Sequence, residues 1–154
     1  MHPLLVPGSW LLEGRYYPSG RPPQRVLGAT EVRAAEDYPE TLQVEGEVRD
    51  ADNATARPVR STYHLDVSGP ATIRFRIDSL PLATVLTGEG FFDEHVLVFR
   101  YASPDRRLQG VESYVRCGED EMRATGVLLA EGAPVTSWLV RLERLRGDRR
   151  RHDR

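Results

Sequence analysis

The chain has 154 residues, 40% of them hydrophobic, and a formal net charge of −2, which suits one domain with its own core. The charge balance argues against a nucleic-acid partner, which needs a basic face, and no run approaches the ~20 apolar residues of a membrane-spanning helix. A single cysteine, Cys117, excludes an intrachain disulfide, and because all 21 basic residues are arginine, imine chemistry on a lysine is excluded too.

No Cys/His spacing matches a zinc site, and no cofactor or metal is expected. Cys117 is expected to be a small, half-buried side chain. The start, Met1–Pro7, lacks a basic targeting region, so a cytoplasmic location is expected. Asn53-Ala54-Thr55 matches a glycosylation sequon, discounted on the same ground.

Ten strands are predicted in chain order: Ser9–Tyr17, Arg25–Ala35, Thr41–Arg49, Val59–Val67, Ala71–Ser79, Ala83–Phe92, His95–Ala102, Leu108–Cys117, Glu121–Ala130 and Val135–Glu143. The spacers are rich in Gly, Pro, Asn and Asp, which supply tight-turn geometry. Most are two to four residues long, a length that joins antiparallel neighbours as hairpins. A ten-stranded meander closes most simply as an up-and-down barrel, which removes exposed edges and leaves room for a ligand. The 50–58 stretch is the one candidate crossover for a Greek-key sandwich, the minority fold. One all-β domain is expected over residues 1–145, with a charged, disordered tail over 146–154.

Alternation assigns faces. Ile73, Phe75 and Ile77 oppose Arg74, Arg76 and Asp78. Tyr63, Leu65 and Val67 oppose Thr62, His64 and Asp66. Trp10, Leu12, Gly14 and Tyr16 oppose Glu13 and Arg15. Three segments are apolar on both faces, 96–99, 127–129 and 138–140, and such strands need an outer cover. A homodimer through the strands from His95 onward would supply it.

Glu112, Tyr114 and Arg116 share one strand face. A carboxylate beside a phenol can relay a proton or polarise a carbonyl in an apolar cavity. Alternation alone favours the opposite orientation, with Val111, Ser113 and Val115 inward and Glu112 outside; both orientations stay open. Tyr63, Glu112 and Tyr114 are the candidate catalytic residues. Tyr16, Phe75, Phe99, Tyr101 and Trp138 are the candidate ligand wall, because aromatic bodies suit a pocket for an apolar molecule; ordinary core packing is the alternative. All four histidines are expected in solvent. Gly88-Glu89-Gly90 lacks the context of a phosphate loop and is expected to form a bulge or bend at a barrel corner.

Gly8-Ser9-Trp10 opening the first strand, followed by the meander, resembles the calycin superfamily of lipocalins, fatty-acid-binding proteins, avidins and nitrobindin-like haem barrels. The resemblance implies that Gly8 and Trp10 close one barrel end against an arginine late in the barrel, Arg141 or Arg144, with Arg141 the primary candidate. The chain departs from lipocalins in having no helix after the barrel. It departs from haem barrels in lacking a late ligating histidine. Barrels of this size also include cofactor-free cyclases of natural-product pathways, which hold a flexible chain in a reactive shape. The expected function is therefore a cofactor-independent, pericyclase-like cyclase or isomerase acting on a mainly apolar small molecule such as a polyketide. A non-catalytic carrier of a hydrophobic ligand is the alternative.

Overall fold

A computed structural model of the chain describes residues 1–38, 40–79 and 82–146. Ten strands form one closed antiparallel barrel: β1 (Gly8–Pro18), β2 (Gln24–Ala34), β3 (Thr41–Asp50), β4 (Val59–Val67), β5 (Thr72–Ser79), β6 (Thr84–Phe92), β7 (Val96–Ala102), β8 (Leu108–Arg116), β9 (Glu121–Ala130) and β10 (Ala133–Arg144). Every strand pairs with its neighbours in sequence, and β1 pairs with β10 to close the ring. The up-and-down barrel is thus the fold, and no crossover follows β3. The β9–β10 hairpin shows the local logic. Glu131 and Gly132 both take positive φ, 51° and 83°, the two-residue turn whose twist matches paired strands.

The inward sets are those alternation indicates on β1 and β5, where Trp10, Ile73, Phe75 and Ile77 are buried and Glu13, Arg74 and Arg76 are exposed. On β4, Leu65 is buried but Val67 lies open at the strand end. Gly88 and Gly90 make no bulge, because the register through β6 is continuous on both sides. Their missing side chains instead admit the backbone of β7 at Arg100 and Val98. Among the described residues, a register irregularity lies in β10, between Pro134 and Thr136.

The interior is divided along the barrel axis. One end is packed: Trp10, Ile73, Leu97, Phe99 and Met122 are almost fully buried there. A stopper formed by the N-terminal segment adds to it. Pro3–Leu5 makes one 3-10 turn, with Leu4 and Leu5 buried. His2 caps this turn, its Nδ1 accepting from the Leu4 amide at 3.2 Å. Contrary to the expectation of a solvated terminus, His2 is fully buried. Burial chiefly pushes its pKa down, from the ordinary 6.5 to about 4. Cys117, expected half-buried, is exposed, since it lies just past the end of β8. Residues 147–154, most of the expected tail, lie outside the described residues; Arg146 is held by Asp120, its Nε donating to Oδ2 at 2.6 Å.

Outside, two of the doubly apolar strands leave Val98 and Leu139 on the outer surface of β7 and β10, and Val111 of β8 is exposed there too. No helix among the described residues is long and apolar enough to cross a membrane.

Candidate functional site

The other half of the barrel is hollow. A cavity of about 330 Å³ is walled by Leu12, Val44, Val48, Ile77, Leu86, Leu128 and Val140 and floored by Leu4 of the stopper. Its aromatic walls are Tyr16, Tyr63, Tyr101, Tyr114 and Trp138. Among the described residues that line it, Glu112 is the sole carboxylate and none carries a positive charge.

Glu112 points inward. Its side chain is 4% exposed, whereas Val111 is 44% and Val115 39% exposed. The face favoured by alternation on β8 is thereby corrected. The reason lies in the register: Gly110 faces Tyr101 and Glu112 faces Phe99 across β7. That strand presents Leu97, Phe99 and Tyr101 to the core, so the residues paired with them share the interior. A Val-Glu-Ser-Tyr-Val run carries no strong cue of its own.

Three phenols converge on the carboxyl. Tyr114 Oη donates to Glu112 Oε2 at 3.0 Å. Tyr101 Oη donates to Oε1 at 3.2 Å, and Tyr63 Oη reaches the same oxygen at 3.4 Å. They come from β8, β7 and β4, so closure of the barrel is what assembles the cluster. Burial lifts the Glu112 pKa above its ordinary value, and the three hydrogen bonds pull the other way. Burial and then the Glu112 charge push the Tyr63, Tyr101 and Tyr114 hydroxyls well up. The same two causes push Tyr16, on β1, up to about 12. A carboxyl so placed keeps its proton to higher pH than a free one and can exchange it with a bound molecule.

Two strand glycines shape this wall. A β-carbon at Gly110 would lie 2.5 Å from the Tyr101 hydroxyl and nearer still to its ring. The ring can therefore lie flat over β8 and bring its hydroxyl to Glu112, two residues along. Gly126 does the same for Trp138, whose ring occupies the place of a side chain on β9. Gly46 is different: a β-carbon there meets nothing nearer than Thr30 Oγ1 at 3.6 Å, an ordinary van der Waals contact.

The candidate residues thus separate into groups. Tyr63, Glu112 and Tyr114 come together in one cluster, and Tyr101, placed beforehand in the ligand wall, joins it. Tyr16, Tyr101 and Trp138 line the cavity. Phe75 and Phe99 do not. They pack behind it, their rings tilted with centroids 4.6 Å apart, and Phe99 supports Tyr114 edge-on at 6.0 Å. Leu4, Thr30, Gly46 and Leu82 also line the cavity and were not singled out; nothing in their local sequence marks them. Among the described residues, no three His, Cys, Asp or Glu side chains come together as a metal site would need.

The packed end holds the Gly8-Ser9-Trp10 motif. Trp10 is fully buried, and the Arg144 guanidinium lies 5.4 Å from its ring centroid. Arg144 Nη2 also donates to the Pro7 carbonyl at 2.9 Å. Arg141 is not the partner. Arg144 is the direct cross-strand neighbour of Trp10, whereas Arg141 faces Glu13, an odd number of residues away and so on the outer surface. There it pairs with Glu13, Glu121 and Glu143.

A closed ten-stranded meander, sealed at one end by a buried Gly-x-Trp tryptophan and hollow at the other, is a calycin-like barrel. Two solved structures share its shape. The S-type phycobiliprotein lyase of Guillardia theta superposes with a TM-score of 0.69 at 12% identity, over 93% of this chain and 90% of the lyase. The M. tuberculosis protein Rv2717c superposes with a TM-score of 0.72 at 18% identity, over 94% of each chain. No family model matches the chain, and no curated protein matches it in sequence.

Proposed function

We propose that the barrel takes a mainly apolar small molecule into its cavity and acts on it as a cofactor-independent cyclase or isomerase. The observation that carries this reading is the buried Glu112 carboxyl, ringed by three phenols in a cavity whose remaining walls are mostly apolar. A plain carrier of apolar molecules needs no such group, because burying a polar cluster costs free energy that only its own hydrogen bonds offset. Glu112 would give or take the proton, and Tyr63 and Tyr114 would donate to the oxygen on which charge develops. The apolar walls would hold a flexible chain in a folded, reactive shape. A barrel of similar shape is a lyase, so catalysis is compatible with the architecture.

The carrier reading has one observation of its own: all three phenols are already engaged with Glu112, so the cluster is satisfied without a ligand. Proton exchange separates the two readings. An apolar cyclic ketone incubated with the protein in heavy water should lose its α-protons faster than in buffer, as followed by NMR. Glu112→Gln should slow that exchange by about 100-fold or more, and Tyr114→Phe by a smaller factor. Exchange no faster than in buffer leaves the carrier reading.

We also propose that two copies pair through the outer surface of β7 to β10, where Val98, Val111 and Leu139 face outward. Sedimentation as a monomer at micromolar concentration would refute this pairing.

A further inference from the structure

We infer that the molecule this cavity receives is an organic cation: an apolar body carrying one protonated nitrogen, which seats against Glu112. The inference rests on the cavity being a ligand site, as proposed above, and names the chemistry of its occupant.

The argument begins with charge. Glu112 has no ion-pair partner among the described residues, whereas the acidic residues on the outer surface commonly have one. No lining residue is cationic. An anionic ligand would therefore meet a carboxyl and no counter-charge. A wholly neutral ligand would leave the carboxyl, hydrogen-bonded by the three phenols, without a counter-charge in a largely apolar medium. Only a cation supplies what the wall lacks.

Geometry agrees. A carboxylate offers about four acceptor directions. The phenols take two on Oε1 and one on Oε2, so Oε2 retains one, and an ammonium N–H can fill it. All three phenols donate toward the carboxyl, an arrangement that supports its ionised form. The surrounding rings of Tyr63, Tyr101, Tyr114 and Tyr16 can receive positive charge on their faces. Away from this corner, Leu12, Val44, Val48 and Leu128 would cover the apolar body. Binding then couples to a proton. Glu112, held above its ordinary value by burial, releases its proton as the cation arrives, because an opposite charge at hydrogen-bond distance favours the ionised carboxylate.

The test is calorimetric titration with three probes of equal length: octylammonium, octanol and octanoate. The ammonium should bind about 10- to 100-fold more tightly than the alcohol, the range of one hydrogen bond to a charged group, and octanoate should be weakest. In Glu112→Gln the ammonium and the alcohol should bind alike. A second measurement uses the wild type alone. At a pH just above the ordinary carboxyl value of 4.5, ammonium binding should eject a proton, seen as a dependence of the enthalpy on the buffer, and octanol binding should not. Equal affinity for ammonium and alcohol, a preference for octanoate, or ammonium binding without proton release would overturn the inference while leaving the cavity a ligand site. Failure of all three probes to bind would overturn both.

Discussion

Adding one methyl group at Gly110 should cost stability, while the same change at Gly46 should not. The β-carbon of Gly110→Ala would stand 2.5 Å from the Tyr101 hydroxyl and closer to ring carbons. Carbon contacts relax at about 3.5–4.0 Å, so the ring must withdraw by about 1 Å or more. Its hydroxyl, 3.2 Å from Glu112, would then lie beyond hydrogen-bond range. Overpacking costs about 1–3 kcal/mol and the lost hydrogen bond about 0.5–1.5 kcal/mol. Replacing a strand glycine by alanine returns about 0.5–1 kcal/mol. The net loss is about 0.5–4 kcal/mol, a fall in Tm of about 1–12 °C for a chain of this length. At Gly46 the nearest atom is 3.6 Å away, an ordinary contact, so only the gain of about 0.5–1 kcal/mol remains. Thermal unfolding followed by circular dichroism reads both. In a Tyr101→Ala background the Gly110→Ala penalty should vanish, since the two residues are in contact. Equal Tm changes at the two glycines, or a penalty that survives the loss of Tyr101, would refute the account of how this wall is built.

Three further outcomes follow from the same geometry. Glu112 has a native pKa above its unfolded one, so the native state holds the proton more firmly and stability falls as pH rises above about 4.5; urea midpoints of Glu112→Gln should gain on the wild type through that range and not below it. His2 is the opposite case, with a native value near 4 against 6.5 unfolded: its contribution is complete above pH 6.5 and is lost as pH falls toward 4. His2→Asn, which keeps a capping side chain but does not titrate, should flatten that acid limb in urea titrations. At the packed end, Trp10→Ala should cost about 3–5 kcal/mol and Arg144→Met about 1 kcal/mol. Arg141→Met, which breaks only partly exposed surface pairs, should change urea stability by no more than about 0.5 kcal/mol; a larger effect at Arg141 than at Arg144 would reverse their roles.

Much of the barrel is legible in the chain because its signals are local. Ile73-Arg74-Phe75-Arg76-Ile77 alternates cleanly, and each turn carries its Gly, Pro or Asp, so the ten predicted strands lie within two residues of those observed. The buried Trp10 is legible for the same reason, as a motif of three adjacent residues. Arg144 rather than Arg141 required the register of β1 against β10, which depends on where two strands far apart in sequence meet. Glu112 required more. On β8 its inward face carries Leu108 and Tyr114 but also the charged Glu112 and Arg116, and its outward face has two valines and no charge, so keeping charges in water points the wrong way. His2 escaped too, since a terminal histidine acquires a buried environment only when the stopper folds into the sealed end of the barrel.

The pattern of alternation and turn residues by itself determined an all-β meander, its approximate strand bounds and an inward-facing Trp10, because period-two side-chain direction and tight-turn geometry are properties of a few consecutive residues; that Trp10 seals one end was implied by the Gly-x-Trp resemblance. Tertiary structure alone decided that Tyr63, Tyr101 and Tyr114, carried on three strands, meet one carboxyl. Ring closure fixes the register around the whole barrel, and that register turns Glu112 inward, where burial raises its pKa and no counter-charge among the described residues answers it.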